Sequence, residues 1–235
     1  EGAAGDPRSM VGTMVDARLL NRYLNLLESS LIGLLVRDAP TDPWSGDYFD
    51  ATKRAVGGDW PSLAMSMIGA ARMRNLRHCC ESALLDGTPG DFIETGVWRG
   101  GATILMRGIL EAYEDQTRRV FVADSFAGLP PPDAESFPAD AGDIHHTFDP
   151  LAVSRRDVED NFRRYGLLDD RVVFLEGWFK DTLPSAPIER IAVLRLDGDM
   201  YESTIQALEA LYHKVSYGGF VIVDEVLQPL ARVAE

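Results

Sequence analysis

Apolar residues recur at helical spacing in two segments of the first ninety residues. From Asp16 to Asp38 they fall every three or four positions, which predicts a long amphipathic helix. Its wide apolar face needs a partner, either the rest of the chain or a second copy of it. A second helical pattern covers about 61–85, after a loop at 39–50 that is rich in proline, glycine and aspartate. Residues 1–12 are polar and glycine-rich, which predicts a flexible tail.

After Gly90 the pattern changes to short apolar runs that alternate with helical segments. Strands alternating with helices predict βαβ units, and therefore an α/β fold whose mostly parallel sheet carries helices on both faces. We expect residues 13–89 to form a helical region and residues 90–235 to form one domain around this sheet. The predicted strands are 91–95, 119–123, 172–175, 191–196 and 219–223, with helices at 100–114, 154–165 and 202–214.

Acidic residues stand at the ends of several predicted strands, where folds of this kind bind ligands. Asp197 and Asp199 follow the fourth strand, and Asp224 and Glu225 follow the fifth. If these strands are neighbours, ~5 Å apart, their carboxylates converge and need a positive charge between them. A hard divalent cation such as Mg²⁺ would supply it. The alternative is that Asp199 caps the next helix and the other acids face solvent.

A glycine-rich turn, Gly96-Val97-Trp98-Arg99-Gly100-Gly101, follows the first predicted strand. A dinucleotide site requires glycine where Trp98 stands, so that the backbone can approach a pyrophosphate. An indole at this position favours a nucleoside without phosphates, such as S-adenosylmethionine. Asp124 would then accept hydrogen bonds from the ribose hydroxyls, and Glu94 would meet the amino group of the methionine part. A turn that serves only packing is the alternative.

The net charge and the cysteine content restrict the binding partners and the cellular location that we expect for this chain. The chain has 235 residues, 46% of them hydrophobic, and a formal net charge of −14, which disfavours nucleic acid and anionic membrane surfaces. No apolar run reaches the ~18 residues that a membrane span needs. Adjacent Cys79 and Cys80 are expected to be reduced thiols of a cytoplasmic protein.

The sequence leaves open the role of a set of arginines and of a pair of histidines. Arg72, Arg74 and Arg77 are expected on a solvated helix face, given the acidic whole. His145 and His146 are neighbours, a poor arrangement for two ligands of one zinc ion. They either line the acceptor pocket, belong to a mobile lid or lie in a plain surface loop.

Several motifs are similar to those of one family. They are SMIGAARMRNL (66–76), ETGVWRGG (94–101), VADSFAGLP (122–130), NFRRYGLLDD (161–170), FLEGWFKDTLP (174–184), LRLDGDMYEST (194–204) and GGFVIVDE (218–225). From about Ser62 to Glu225 the chain resembles the macrocin O-methyltransferase family, which includes members of the novobiocin and mycinamicin pathways. That family methylates sugar hydroxyls on macrolide and aminocoumarin antibiotics.

The resemblance implies a class I methyltransferase fold, S-adenosylmethionine and Mg²⁺. Carried to matching positions, it assigns Asp199 as general base and Asp197, Asp224 and Glu225 as metal ligands, with Glu225 standing where the family has Asp. It places a larger set in the cofactor pocket, namely Met67, Glu94, Gly96, Trp98, Asp124, Ser125, Gly177, Trp178 and Asp197. The class I fold closes with a further helix and hairpin, so we expect the domain at 90–235 to be incomplete at its C-terminal end.

The sequence therefore predicts an S-adenosylmethionine- and Mg²⁺-dependent O-methyltransferase that acts on a sugar hydroxyl of a glycosylated natural product. Residues 13–89 would serve as a lid and as the contact in a homo-oligomer. One alternative keeps the class and changes the acceptor to a catechol-like phenol. Others are a nicotinamide-dependent oxidoreductase, against which Trp98 argues, and a non-catalytic scaffold.

Overall fold

The protein folds around a five-stranded sheet with the strand order β3-β2-β1-β4-β5, in which every pair is parallel. A computed structural model describes the backbone of residues 7–224 and the side chains of residues 17–224. The predicted α/β fold is confirmed, and β5 begins four residues earlier than its apolar run. The strands are β1 (Asp91–Thr95), β2 (Val120–Asp124), β3 (Val172–Glu176), β4 (Ile191–Leu196) and β5 (Val215–Val223).

Helices cover both faces of the sheet. Within the described residues they are α1 (Pro7–Leu31), α2 (Ala51–Val56), α3 (Gly69–Leu85), α4 (Gly101–Ala112), α5 (Arg155–Arg164), α6 (Phe179–Thr182) and α7 (Tyr201–Leu211). Short 3₁₀ turns occur at Pro138–Asp140, His145–Thr147, Asp149–Leu151 and Tyr212–Lys214. No helix among these residues combines the length and apolar character of a membrane span.

Three helix boundaries differ from the prediction by several residues. Helix α1 begins at Pro7, so residues 7–12 are helical rather than part of a tail, and it ends at Leu31 because Gly33 adopts a left-handed conformation with φ +74°. The second helix predicted from the sequence, which is α3, begins only at Gly69. The backbone before it bonds elsewhere: the N–H groups of Met65 and Ser66 both donate to Leu31 O at 2.9 Å.

The N-terminal helix packs on the sheet domain through the face that the sequence predicted to need a partner. Leu24, Leu27 and Leu31 are buried in one continuous core with α3 and α4. Leu19 and Leu26, on the other side of the helix, are 57% and 60% exposed. The N-terminal region therefore has no core of its own, and only part of its apolar surface is covered.

A buried arginine fixes the loop between α1 and α3. The Arg54 side chain is fully buried and pairs with Asp38 at 2.8 Å and with Asp59 at 2.9 Å. Asp38 also accepts hydrogen bonds from the N–H groups of Leu63 and Ala64. These contacts hold residues 38–64 in one conformation beside the carboxyl ends of the strands.

Candidate active site

A cavity of about 560 Å³ opens at the carboxyl ends of the strands, where the strand order reverses between β1 and β4. Strands β4 and β5 are neighbours, as the convergence of their terminal carboxylates requires. Glu225 lies outside the described residues, and the assigned roles stay predictions. Every other predicted site residue lines this cavity: Met67, Glu94, Gly96, Trp98, Asp124, Ser125, Gly177, Trp178, Asp197, Asp199 and Asp224.

The glycine-rich turn joins the ends of β1 and β4. Gly96 has φ +83°, and a Cβ atom there would lie 1.8 Å from the carbonyl oxygen of Asp197, so this position must be glycine. Trp98 adopts φ +47°, and its indole Nε1 donates to Pro150 O at 2.8 Å. Packing therefore requires Gly96, and Trp98 ties the turn to the loop between β2 and α5.

Asp124, at the end of β2, organises the same turn. Its Oδ2 accepts a hydrogen bond from Val97 N, and its Oδ1 accepts one from Phe126 N, both at 2.8 Å. Burial raises the pKa of Asp124, and these hydrogen bonds only partly offset it. Ser125 Oγ also lies 3.4 Å from Oδ1, and the Trp98 N–H contributes a further hydrogen bond, so only part of the about four acceptor positions of this carboxylate is left for a ribose hydroxyl.

Glu94 lies at the floor of the cavity and is 1% exposed. Its Oε1 accepts a hydrogen bond from Arg195, whereas Oε2 is buried with no partner among the described residues. Burial raises the pKa of Glu94 to about 8; the charges of Asp197 and Asp224 add to this, and Arg195 opposes it. A buried acceptor without a donor suits an ammonium group.

Arg195 supplies the positive charge between the strand-end carboxylates. Besides Glu94, it contacts Asp197 Oδ2 at 2.6 Å and Asp224 Oδ1 at 2.5 Å, and it is 1% exposed. Burial works against its charge, but the three carboxylates outweigh this effect and raise its pKa. We did not predict this role from sequence, although Arg195 interrupts the otherwise apolar run of β4.

Arg72 was expected on a solvated helix face, and that expectation is wrong. Its Nη1 contacts Asp224 Oδ2 at 2.5 Å, and its Nε donates to Ile68 O at 2.7 Å. The side chain lines the cavity. That expectation rested on the acidic net charge of the chain, which does not indicate which carboxylates an individual arginine meets.

Asp197 and Asp224 are the two described members of the predicted metal set. Each has a carboxylate oxygen bonded to a guanidinium, and burial raises the pKa of Asp197, with Arg195 opposing. Across residues 17–224, no group of three or more His, Cys, Asp or Glu side chains is arranged to hold a metal ion. Two carboxylates at adjacent strand ends still fit Mg²⁺, which often takes one or two with water and substrate oxygens.

Asp199 stands between β4 and α7 with φ +59°, a conformation that Asp and Asn tolerate better than most residues. The first amides of α7 are bonded to another residue: Tyr201 N and Glu202 N donate to the two carboxylate oxygens of Asp140, at 2.6 and 2.9 Å. The long loop between β2 and α5 is therefore pinned to the start of α7. His145 of this loop lines the cavity, whereas His146 is exposed.

Comparisons with known proteins agree with this geometry. The family model described as macrocin O-methyltransferase (TylF) matches residues 18–234. The chain belongs to the macrocin O-methyltransferase family. It is therefore an O-methyltransferase, and methyltransferases of this family use S-adenosylmethionine.

Three curated members of the family cover most of the chain. The 8-demethyl-8-(2,3-dimethoxy-α-L-rhamnosyl)-tetracenomycin-C 4'-O-methyltransferase of Streptomyces olivaceus is 54% identical over 89% of this chain and 80% of that protein. Mycinamicin III 3''-O-methyltransferase of Micromonospora griseorubida is 48% identical over 90% and 85%. Demethyldecarbamoylnovobiocin O-methyltransferase of Streptomyces niveus is 49% identical over 87% and 80%.

Solved structures show the same fold. The O-methyltransferase NovP superposes with a TM-score of 0.83 at 49% identity, covering 87% of this chain and 84% of that chain. The calicheamicin methyltransferase CalS11 has a TM-score of 0.54 at 19% identity, over 95% of this chain and 83% of that chain, which is similarity of fold alone. The predicted class I methyltransferase fold is confirmed.

Proposed function

We propose that this protein transfers a methyl group from S-adenosylmethionine to a sugar hydroxyl of a glycosylated natural product, as part of antibiotic biosynthesis. One observation carries the proposal: a single cavity joins Asp124 and Glu94, suited to a nucleoside and an ammonium group, to acidic Asp197 and Asp199. The names of three family members support the acceptor class, since they name a rhamnosylated tetracenomycin, a mycinamicin and a novobiocin derivative.

Different residues of the cavity bind the cofactor and activate the sugar hydroxyl. S-adenosylmethionine supplies an electrophilic methyl group when it is bound. Asp124 accepts a hydrogen bond from one of its ribose hydroxyls, and the unpartnered Oε2 of Glu94 accepts one from its amino group. Asp199 takes the proton of the sugar hydroxyl, whose oxygen becomes the nucleophile. Holding both reactants in one cavity supplies much of the rate.

A magnesium ion belongs to the proposal as a second requirement. Asp197 and Asp224 would hold it, with Glu225 as the third ligand expected from the family resemblance. A bound Mg²⁺ supplies a positive charge that orients substrate oxygens and favours loss of a hydroxyl proton. Arg72 and Arg195 already stabilise these carboxylates, so the ion has to compete with two guanidiniums for their oxygens.

The homo-oligomer and the cytoplasmic location expected from sequence stay predictions. The exposed Leu19 and Leu26 of α1 support a contact between copies, because they leave apolar surface on one face of a long helix. Gel filtration with light scattering of the wild type and of a Leu19→Lys, Leu26→Lys variant tests this contact.

The proposed acceptor class is tested with deuterated-methyl S-adenosylmethionine and mass spectrometry. Three acceptors are compared: a rhamnosylated tetracenomycin, its aglycone and a catechol. We expect the label on the glycoside alone. Label on the catechol would indicate a phenol as the acceptor instead of a sugar. Label on the aglycone would indicate that the methylated hydroxyl is not on the sugar.

A further inference from the structure

Three aromatic side chains meet beside the cavity, and one of them, Trp60, lines it. Trp44 and Trp60 come from the loop fixed by Arg54, and Phe148 comes from the loop between β2 and α5. Their ring centroids are 4.9 Å apart for the two tryptophans, 5.3 Å for Trp60 and Phe148, and 6.0 Å for Trp44 and Phe148. Every pair is edge to face, an arrangement that aromatic quadrupoles favour. We call these three residues the aromatic platform.

The platform is held by polar contacts beneath it. Asp42, which is 6% exposed, accepts hydrogen bonds from the N–H groups of both tryptophans: its Oδ1 lies 3.2 Å from Trp44 N and its Oδ2 lies 2.8 Å from Trp60 N. A single carboxylate therefore joins the two backbone segments that carry the indoles. The backbone of Phe148 follows a 3₁₀ turn in a loop tied to Trp98 through Pro150.

One ring of the platform lines the cavity, and another is exposed to solvent. Trp60 lines the same cavity as Asp197 and Asp199. Trp44 is 55% exposed, although it is large, apolar and in contact with two other rings. Packing of the two loops alone does not require this exposure, whereas an exposed aromatic surface at the mouth of a site is typical of ligand contact.

A histidine beside the platform also lines the cavity. His145 lines the cavity, and its ring centroid is 6.4 Å from that of Phe148. Asp143 Oδ2 contacts its Nδ1 at 2.7 Å, and Asp143 Oδ1 accepts from its backbone N–H at 2.8 Å. Because Asp143 engages Nδ1, Nε2 is the ring nitrogen that would meet a hydroxyl group of a ligand.

We propose that the aromatic platform binds the apolar aglycone of the glycoside acceptor, while the sugar extends past His145 toward the strand-end carboxylates. This inference rests on the proposed function. The chemistry of the cavity lining supports it, because Asp197 and Asp199 at the strand ends suit hydroxyl groups, whereas Trp60 contributes the apolar surface of the platform to the same lining. The aglycone would supply binding energy that a single sugar lacks.

The test measures two acceptors that share one sugar. They are 8-demethyl-8-(2,3-dimethoxy-α-L-rhamnosyl)-tetracenomycin C and the methyl glycoside of the same dimethoxy rhamnose, which lacks the aglycone. In the Trp44→Ala variant we expect the KM of the full glycoside to rise by about tenfold or more, with kcat nearly unchanged. The KM of the methyl glycoside and the Kd of S-adenosylmethionine should stay at the wild-type values.

Tyr48→Ala is the matched control, because Tyr48 lies in the same loop and is 84% exposed outside the platform. Trp44→Tyr should restore most of the affinity for the full glycoside. Equal effects of Trp44→Ala and Tyr48→Ala, or equal losses for both acceptors, would overturn the proposal.

Calorimetric titration of the same two compounds separates this proposal from the proposed function. Wild-type protein that binds the full glycoside more tightly than the methyl glycoside, and loses that difference in Trp44→Ala, supports the platform even without methyl transfer. Binding without methyl transfer would overturn the proposed function alone. Equal wild-type affinities for the two compounds would overturn the platform.

Discussion

Arg195 holds Glu94 by one oxygen only, and the second oxygen of this buried carboxyl has no partner among the residues that the structure describes. A buried acceptor without a donor lowers the stability of the folded protein. Its place in the lining of the cavity supports the proposal that it receives the ammonium group of the ligand. The same unpartnered oxygen of Glu94 therefore lowers the stability of the ligand-free protein and is the proposed acceptor for the ammonium group.

This relationship predicts a specific pH dependence. Folding raises the pKa of Glu94 from 4.5 to about 8, so between these values the folded protein binds the proton that the unfolded chain has released. The free energy of unfolding contributed by Glu94 is thus fully present below its unfolded pKa and is lost as pH rises toward 8. In Glu94→Gln this contribution is absent, so the Tm of the wild type should fall relative to that of the variant between pH 5 and 8.

Glu189→Gln is the control for this comparison, since Glu189 is exposed. The difference in Tm between this control and the wild type should not change with pH. A wild-type advantage over Glu94→Gln that grows as pH rises would contradict the assigned shift.

Asp199→Asn tests the assignment of the base. Asn tolerates the left-handed backbone of this position, so the loop before α7 should keep its shape. We expect kcat to fall by about 10²–10⁴-fold, the usual contribution of a general base, with the Kd of S-adenosylmethionine unchanged. Asp170→Asn, at an exposed turn, serves as the control, and wild-type turnover in Asp199→Asn would exclude this residue as the base.

Removal of the metal should stop methyl transfer. We expect EDTA to abolish activity and added Mg²⁺ to restore it, because the proposed site uses oxygen ligands that Mg²⁺ prefers. Calorimetry gives a second readout: Asp224→Asn should weaken Mg²⁺ binding, whereas Asp170→Asn should not. Full activity in chelator, together with no measurable binding of Mg²⁺, would remove the ion from the scheme.

The buried ion pairs of Arg54 should dominate the stability of the N-terminal loop. Arg54→Met leaves Asp59 and Asp38 buried with fewer partners, and losing one member of such a pair costs about 3–5 kcal/mol. Urea denaturation of this variant should show that loss. Arg22→Met, at an exposed position of α1, should change the free energy of unfolding by about 0.5 kcal/mol or less. Similar losses of unfolding free energy in the two variants would contradict a dominant role of the Arg54 ion pairs.

The strands and the cavity could be predicted from the sequence because both follow from local pattern. Apolar runs that end in acidic residues defined β1, β2 and β4, and the topology of parallel sheets then placed Glu94, Asp124 and Asp197 at one edge. The family resemblance added residues outside strand ends, such as Met67 and Trp178, which also line the cavity.

What the sequence did not reveal depends on contacts between distant segments. Arg195 and Arg72 neutralise the carboxylates, but a helical or strand pattern does not state which acids an arginine will meet. Asp140 caps α7 from a loop about sixty residues earlier, beyond the range of local capping rules. The aromatic platform likewise joins two loops that only the fold brings together.

An isotope-trapping experiment tests the central claim most directly. The protein is first mixed with deuterated-methyl S-adenosylmethionine and then with a rhamnosylated tetracenomycin in a large excess of unlabelled cofactor. We predict that close to one deuterated methyl group per protein chain appears on a sugar oxygen, located by NMR, because the cofactor bound in the cavity is the one that reacts. Because dissociation of the bound cofactor also removes label, the reaction is repeated without unlabelled cofactor; there, a product without label on the sugar, or no methylated product at all, would contradict the account.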